Sequence, residues 1–121
     1  MTSEKIAQII HGATAPIGRI ACGNPIPVWE DLSVGQRCRA AVAVDDLMRN
    51  PHIKEPEDFH DIWANPLYDD GWVWGPVYSL KTKQHPCLVP YDELPDAEKI
   101  KDMIWASLIE VFRPFYLGGN S

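Results

Sequence analysis

The chain has 121 residues, of which 45% are hydrophobic and 23% are charged, and its formal net charge is −6 at pH 7. This length and composition predict one folded domain and exclude an intrinsically disordered chain. The negative charge argues against binding to nucleic acid polymers, because no run of basic residues offsets the repulsion. The longest apolar run is far shorter than the roughly 18 residues that a membrane-spanning helix needs, so no membrane partner is expected.

The cysteines bear on the cellular compartment. Cys22, Cys38 and Cys87 are widely spaced, and no CxxC pair is present. An odd number of cysteines is unlike a disulfide framework, and the first residues lack the apolar core of a secretory signal peptide. We therefore expect reduced thiols and a cytoplasmic location.

Two helices are predicted in the first half of the chain. Apolar residues recur at helical spacing between Ile6 and Ala13, which predicts a first helix over residues 3–13. Prolines and glycines between residues 14 and 31 predict an irregular loop. Ser33 and Gln36 have the spacing of a capping box, so a second helix begins there, and Pro51 ends it. Its expected buried stripe consists of Val34, Cys38, Ala41, Val42 and Met48, with Leu47 beside it.

Two further helices are predicted in the second half. Pro56 suits the first turn of a third helix, and Pro66 is expected to end or kink it. Its predicted apolar face consists of Phe59, Ile62 and Trp63. Pro95 suits the first turn of a last helix, which a flexible tail at 118–121 follows. The residues of this last helix that are expected in the core are Ile100, Met103, Ile104, Leu108 and Phe112.

Short strands are predicted between these helices. A turn at Gly71 precedes an edge strand over residues 72–78, and residues 88–89 predict a second strand. Trp72 and Trp74 share one face of the first strand, whereas Val73 and Val77 on the other face are expected to contact the core. The predicted fold class is α+β, with about four helices packed around a small irregular sheet in a single domain, 1–121.

Four motifs in the second half resemble the successive motifs of the ryanodine receptor repeat in order and in spacing. They are His60-x-x-Trp63, Gly71-Trp72-Val73-Trp74-Gly75-Pro76, His85-Pro86-Cys87-Leu88-Val89-Pro90-Tyr91 and Leu94-Pro95-x-x-Glu98-Lys99. The resemblance covers a core at 57–112, which matches the ryanodine-receptor-repeat fold. Residues 1–56 resemble the N-terminal helical extension of standalone phage and bacterial members. Trp74 stands where the family usually has Tyr, and Pro66 interrupts a helix that is commonly continuous.

The resemblance implies a small binding module. One tandem pair of receptor repeats binds adenine nucleotide, and the Trp that stacks on the base corresponds to Trp72. Because that receptor site lies between two repeats and this chain has one, a complete site requires a homodimer or a contribution from the N-terminal segment. A phage-encoded protein would act in the host cytoplasm.

A ligand site is therefore expected around Trp72. The candidate residues for an adenine-nucleotide-like molecule are Trp72, Trp74, Lys81, Lys83, His85 and His60. Stacking of a base on an exposed Trp contributes ~1–3 kcal/mol, and the lysines and His85 can contact phosphates. We expect Trp72 to expose a ring face and Trp63 to lie in the core.

Two alternatives to this site stay open. In the first, the tryptophans form an aromatic core cluster and the lysines belong to a solvated loop. In the second, the same aromatic face packs on a partner protein or on a second copy, without a small ligand.

The sequence argues against an enzyme. It contains no P-loop, no GxGxxG segment and no nucleophile elbow, so neither catalytic residues nor a cofactor are expected. Cys87 could be read as a nucleophile paired with His85. Its neighbours Pro86 and Leu88 instead predict that Cys87 is a small buried side chain. A zinc site at His60, His85 and Cys87 lacks the ligand spacing of known zinc motifs, so no metal is predicted.

Overall fold

The computed structural model describes residues 1–21 and 25–117, so Cys22 and the predicted tail at 118–121 lie outside the described residues. The helices are α1 (Ser3–Ala21), α2 (Val34–Arg49), α3 (Pro56–Asp69) and α4 (Asp96–Phe112). The strands are β1 (Val73–Trp74) and β2 (Gln84–His85), and 3₁₀ turns occur at Trp29–Asp31, Tyr91–Glu93 and Arg113–Phe115. This architecture confirms an α+β fold with four helices and a small sheet. In the described part of the chain, no helix is long and apolar enough to cross a bilayer.

The first helix is longer than predicted. It continues past residue 13 and through Pro16 to Ala21. Pro16 removes one backbone donor to the carbonyl of Gly12, but Gly12 is exposed, so water can satisfy that carbonyl. The added turns carry Arg19, whose Nε donates to the carbonyl oxygen of Ile26 at 2.6 Å. This bond holds the segment after α1 against the helix.

The capping box of α2 is confirmed, and its predicted buried stripe is confirmed at Leu47 and Met48 but wrong at Val34, Cys38 and Val42. The Gln36 backbone N–H donates to Ser33 Oγ at 3.1 Å, and the Ser33 N–H donates to Gln36 Oε1 at 2.9 Å. Val34, Cys38 and Val42 are exposed. The buried residues of α2 are Val44, which was not expected, and Leu47 and Met48, which were. Both sets have helical spacing, so spacing alone does not decide which stripe meets α1 and α4.

The core forms where α1, α2 and α4 meet. Its most deeply buried side chains are Ile6, Ile10, Val44, Leu47 and Ile109. Phe59 of α3 and Trp29 of the first 3₁₀ turn join the same cluster. The N-terminal helix is therefore part of the main core, since it contributes two of the most deeply buried side chains.

The sheet is smaller than predicted. β1 pairs with β2 in parallel, with Val73 opposite Gln84 and Trp74 opposite His85, and residues 88–89 form no strand. Val73 and Val77 are exposed, which contradicts their predicted contact with the core. The Trp72 backbone N–H donates to the carbonyl of Leu67 at 2.9 Å, just after the turn at Gly71 (φ 88°). This turn directs Trp72, instead of the valines, towards the protein interior.

The last helix also differs from its predicted packing. Ile109 and Glu98 are its fully buried residues, while Leu108 and Phe112 are partly buried against the core. Ile100 and Met103 are exposed, so the prediction that they lie in the core is wrong. The side of α4 that packs inward carries several polar residues. The stripe of apolar residues in the sequence therefore does not mark the buried side of this helix.

We predict that Ile109→Ala destabilises the protein by roughly 2–5 kcal/mol, because a fully buried isoleucine leaves a cavity when truncated. Urea unfolding measures the loss. The matched control is Val42→Ala on the exposed side of α2, which we expect to change the free energy of unfolding by less than about 0.5 kcal/mol. Equal losses for the two variants would contradict the core described above.

Candidate ligand-binding site

A cavity of about 460 Å³ lies between α1, α2, α3 and α4. The space exists because small residues line the helices on one side of it. These residues are Ala7 and Ala15 of α1 and Ala40 and Ala43 of α2. A volume between roughly 300 and 1,000 Å³ is typical of small-molecule sites in proteins.

Aromatic side chains also line the cavity. Phe59 and Trp63 of α3 and Trp105 of α4 line it. The Trp63 side chain is 39% exposed, so its ring is accessible from solvent. The Trp63 ring lies 5.5 Å from that of His60 and contacts His85 edge-on at 4.9 Å, between ring centroids. These contacts hold the indole in place without covering it.

His60 and Asp102 form a polar corner of the cavity. His60 Nε2 lies 2.8 Å from the carbonyl oxygen of Val89, and a carbonyl only accepts, so Nε2 carries the proton. In the neutral ring Nδ1 is then the acceptor, and it lies 3.8 Å from Asp102 Oδ2. Burial raises the pKa of the Asp102 carboxyl to about 7, and the nearby Glu98 carboxylate adds to the rise.

Charged groups also line the cavity, on α4 and on α2. Lys101 Nζ lies 2.6 Å from Glu98 Oε2, and Glu98 is almost completely buried. Arg39 of α2 also lines the cavity and is exposed. His11 and Thr14 of α1 also line the cavity, and His11 Nε2 lies 2.8 Å from the Pro27 carbonyl oxygen. The cavity therefore combines an aromatic wall with groups of both charges.

Trp72 and Trp63 have the reverse of their expected environments. Trp72 is only 7% exposed and packs with Ala64, Leu88 and Tyr78, so the expectation that it exposes a ring face is wrong. Trp63 was expected in the core, and it borders the cavity instead. The physical reason is that the turn at Gly71 directs Trp72 against the end of α3, and the helix face of Trp63 opens onto the cavity.

Of the other predicted site residues, His60 lines the cavity, His85 contacts the cavity residue Trp63 without lining the cavity itself, and Trp74, Lys81 and Lys83 do not line it. Trp74 is 54% exposed, and Lys81 is exposed. Lys83 Nζ donates to the Asp70 carbonyl oxygen at 2.9 Å and lies 3.5 Å from its carboxylate, so this lysine ties its loop to the end of α3. The ligand-binding roles of Trp72, Trp74, Lys81, Lys83 and His85 stay predictions.

His85 and Cys87 are structural neighbours in the fold. The Cys87 backbone N–H donates to His85 Nδ1 at 3.0 Å, and burial lowers the pKa of this imidazole to about 4. Cys87 is buried, as its apolar neighbours predicted. Over residues 1–21 and 25–117, His, Cys, Asp and Glu side chains form no group of three that could hold a metal ion.

Sequence reasoning missed most of this cavity. Its α1 wall lies in a segment where only part of a helix was predicted, and Trp105 and Asp102 appeared as ordinary positions of an amphipathic helix. The available signal was the Glu98, Asp102 and Trp105 spacing, which places two acids and a tryptophan on one face of α4. Acidic side chains are seldom buried unless they are paired, so two acids beside a tryptophan on one helix face indicate a polar site.

The family comparison agrees with the resemblance seen in the sequence motifs. The model of the RyR domain family matches residues 40–113, which is more than half of the chain. The chain therefore belongs to the RyR domain family. This membership indicates a binding or interaction module. The match begins within α2, so α1 and its share of the cavity lie outside the family domain.

The raised pKa of Asp102 predicts a pH dependence of stability. Unfolded Asp102 has a pKa near 3.8 and folded Asp102 one of about 7. Between these values the folded state binds more protons, so this group lowers the free energy of unfolding as pH rises. His85, with a pKa of about 4 when folded and 6.5 when unfolded, acts in the opposite direction over its own window. The two groups partly cancel in the wild type.

We predict that Asp102→Asn separates the two effects. The free energy of unfolding of the variant minus that of the wild type should increase from pH 4 to pH 7, by at most about 4 kcal/mol. Urea unfolding at several pH values measures this difference. Asp46→Asn, which removes an exposed carboxylate of α2, controls for the loss of one formal charge. A difference that stays flat for Asp102→Asn would show that the carboxyl is not desolvated.

Proposed function

We propose that the protein is a binding module, without catalytic activity, that holds a small nucleotide-like molecule in the cavity between α1 and the RyR domain core. The observation that carries this proposal is the partly exposed Trp63 ring on the wall of a cavity of about 460 Å³. An aromatic wall with a few convergent polar groups is typical of ligand sites.

Trp63 and Asp102 suit the recognition of a nucleobase. Stacking of a base on an aromatic ring contributes ~1–3 kcal/mol and tolerates any base. Because the pKa of Asp102 is raised to about 7, its carboxyl is partly protonated at neutral pH and can both donate and accept a hydrogen bond. The edge of adenine offers the complementary pair, an acceptor beside an amino donor.

Arg39 and Lys101 suit the recognition of a phosphate. Lys101 is already paired with Glu98 at 2.6 Å, so an anion must compete for it. Arg39 is exposed and presents a planar guanidinium that can bind phosphate through two hydrogen bonds. We therefore expect Arg39 to make the stronger phosphate contact.

The N-terminal extension supports a complete site in one chain. Its α1 lines the cavity with Ala7, His11, Thr14 and Ala15, and α3 lines it with aromatic side chains. In this proposal α1 supplies the wall that a second repeat would otherwise supply. A homodimer is then not required for ligand binding.

A second candidate function is protein binding through the surface around β1. Val73, Trp74, Val77 and Leu80 are all at least half exposed. Exposed apolar side chains that are close in sequence favour a protein partner over a small ligand. Trp74 does not line the cavity, so Trp74→Ala in the experiment below separates this surface from the cavity.

We predict that isothermal titration calorimetry detects binding of AMP, ADP or ATP to the wild-type chain. Trp63→Ala should weaken binding about tenfold to a hundredfold, since it removes the stacking surface. Trp63→Ala should destabilise the protein less than Trp72→Ala does, because Trp63 is 39% exposed and Trp72 only 7%. Absence of heat with all three nucleotides at millimolar concentration would contradict the nucleotide proposal.

Two other tryptophans serve as controls. Trp74→Ala changes a side chain that is 54% exposed and outside the cavity, and it should bind as the wild type does. Trp72→Ala should cost ~3–5 kcal/mol of stability, because the ring is buried. If Trp74→Ala abolishes binding and Trp63→Ala does not, the ligand lies at the β1 surface and the cavity is the wrong site.

A further inference from the structure

The side of α4 that faces away from the core is apolar. We name this surface the outer face of α4, and it consists of Ile100, Met103, Ile104, Ser107, Leu108 and Val111, with Leu108 at its boundary with the core. Ile100, Met103 and Val111 are about half exposed, and the first five residues line a shallow groove. The positions follow at i, i+3, i+4, i+7, i+8 and i+11, which is one continuous stripe. Soluble monomers seldom expose such a stripe, so a partner is expected to cover it.

Two opposite charges border this stripe. Lys99 and Glu110 are eleven residues apart, which is about three helical turns, so they lie along the same edge of α4. Their separation along the axis is about 16 Å. Lys99 Nζ lies over the Tyr91 ring at 5.7 Å, and Glu110 pairs with Arg113 at 3.1 Å. The stripe therefore has a positive group near its beginning and a negative group near its end, on one edge.

This pattern is complementary to itself under a two-fold rotation. When two copies of α4 pack antiparallel, a two-fold axis perpendicular to the helices brings the same edge of both copies together. Lys99 of each copy then faces Glu110 of the other, and the two apolar stripes cover each other. In a parallel arrangement the edge with Lys99 and Glu110 would meet the opposite edge of the partner's stripe. Lys99 of one copy could then not pair with Glu110 of the other.

We propose that the outer face of α4 binds a second copy of this chain in an antiparallel, two-fold symmetric dimer. The interface is distinct from the cavity, because Met103, Ile104 and Ser107 do not line it. One helix on each side buries a small area compared with the roughly 1,200–2,000 Å² of stable complexes, so the dimer has a Kd of about micromolar or weaker. Ser107 at the centre of the stripe allows the two helices to approach closely.

Sedimentation velocity over a concentration series, without ligand, tests the apolar contact. The wild type should shift from monomer to dimer, and Met103→Asp should raise the Kd by at least about tenfold, because a carboxylate would be desolvated in the interface. Val42→Asp is the matched control, since Val42 is an apolar residue of α2 with a similar exposure to Met103. This control should dimerise as the wild type does.

Charge reversal tests the antiparallel geometry. Lys99→Glu and Glu110→Lys should each weaken the dimer, because each places like charges opposite one another at both ends of the interface. The double variant Lys99→Glu with Glu110→Lys should restore it, since the opposite pairing is re-formed with exchanged signs. Thermal melts of diluted samples check that all variants are folded.

Three outcomes would overturn the proposal. The first is a wild type that stays monomeric up to millimolar concentration, which would leave the face to a different partner. The second is a dimer that Val42→Asp disrupts and Met103→Asp does not. The third is a double charge variant that is no better than the two single variants, which would exclude the antiparallel pairing.

Discussion

The packing of α1 against α2 and α4 is the constraint on which the rest of the structure depends. Ile6 and Ile10 of α1 meet Val44, Leu47 and Ile109 in the fully buried core. The same helix places small residues at its next turns, where larger side chains would fill the space in front of α3. Because Pro16 does not end the helix, α1 continues to Ala21, while its cavity-lining residues end at Ala15. The first helix therefore contributes both to the core and to one wall of the cavity.

Several polar side chains of α4 face the interior of the protein, where apolar side chains would stabilise the fold more. A buried ion pair such as Glu98 with Lys101 seldom stabilises a protein more than apolar residues of similar volume would, because desolvation offsets the attraction. The raised pKa of Asp102 has the same origin, since its charged form is destabilised by burial. Groups that lower stability and border a cavity are typical of functional sites. This argument is independent of which ligand binds there.

Capping and proline rules, which depend only on neighbouring residues, correctly predicted several helix ends. The Ser33 capping box, Pro56 in the first turn of α3 and the stop before Pro51 depend on neighbouring residues only, and all three were confirmed. The buried face of α2 and the orientation of Trp72 depend on which elements pack against them, so periodicity could not decide them. The continuation through Pro16 depends on an exposed carbonyl, which no sequence pattern reveals. For the same reason only His60 of the cavity was among the predicted site residues.

The motifs of the RyR domain divide into two structural roles in this chain. Trp72 of the Gly-Trp motif packs with Ala64 and Leu88 and so fastens the strand region to α3. His60, Trp63 and Glu98, from the first and last motifs, converge on the cavity. Since α4 also carries the outer face, one rigid helix connects the proposed ligand and the proposed second copy. Thermodynamic linkage then requires reciprocity: if the ligand changes the dimerisation constant by some factor, dimerisation changes the ligand affinity by the same factor.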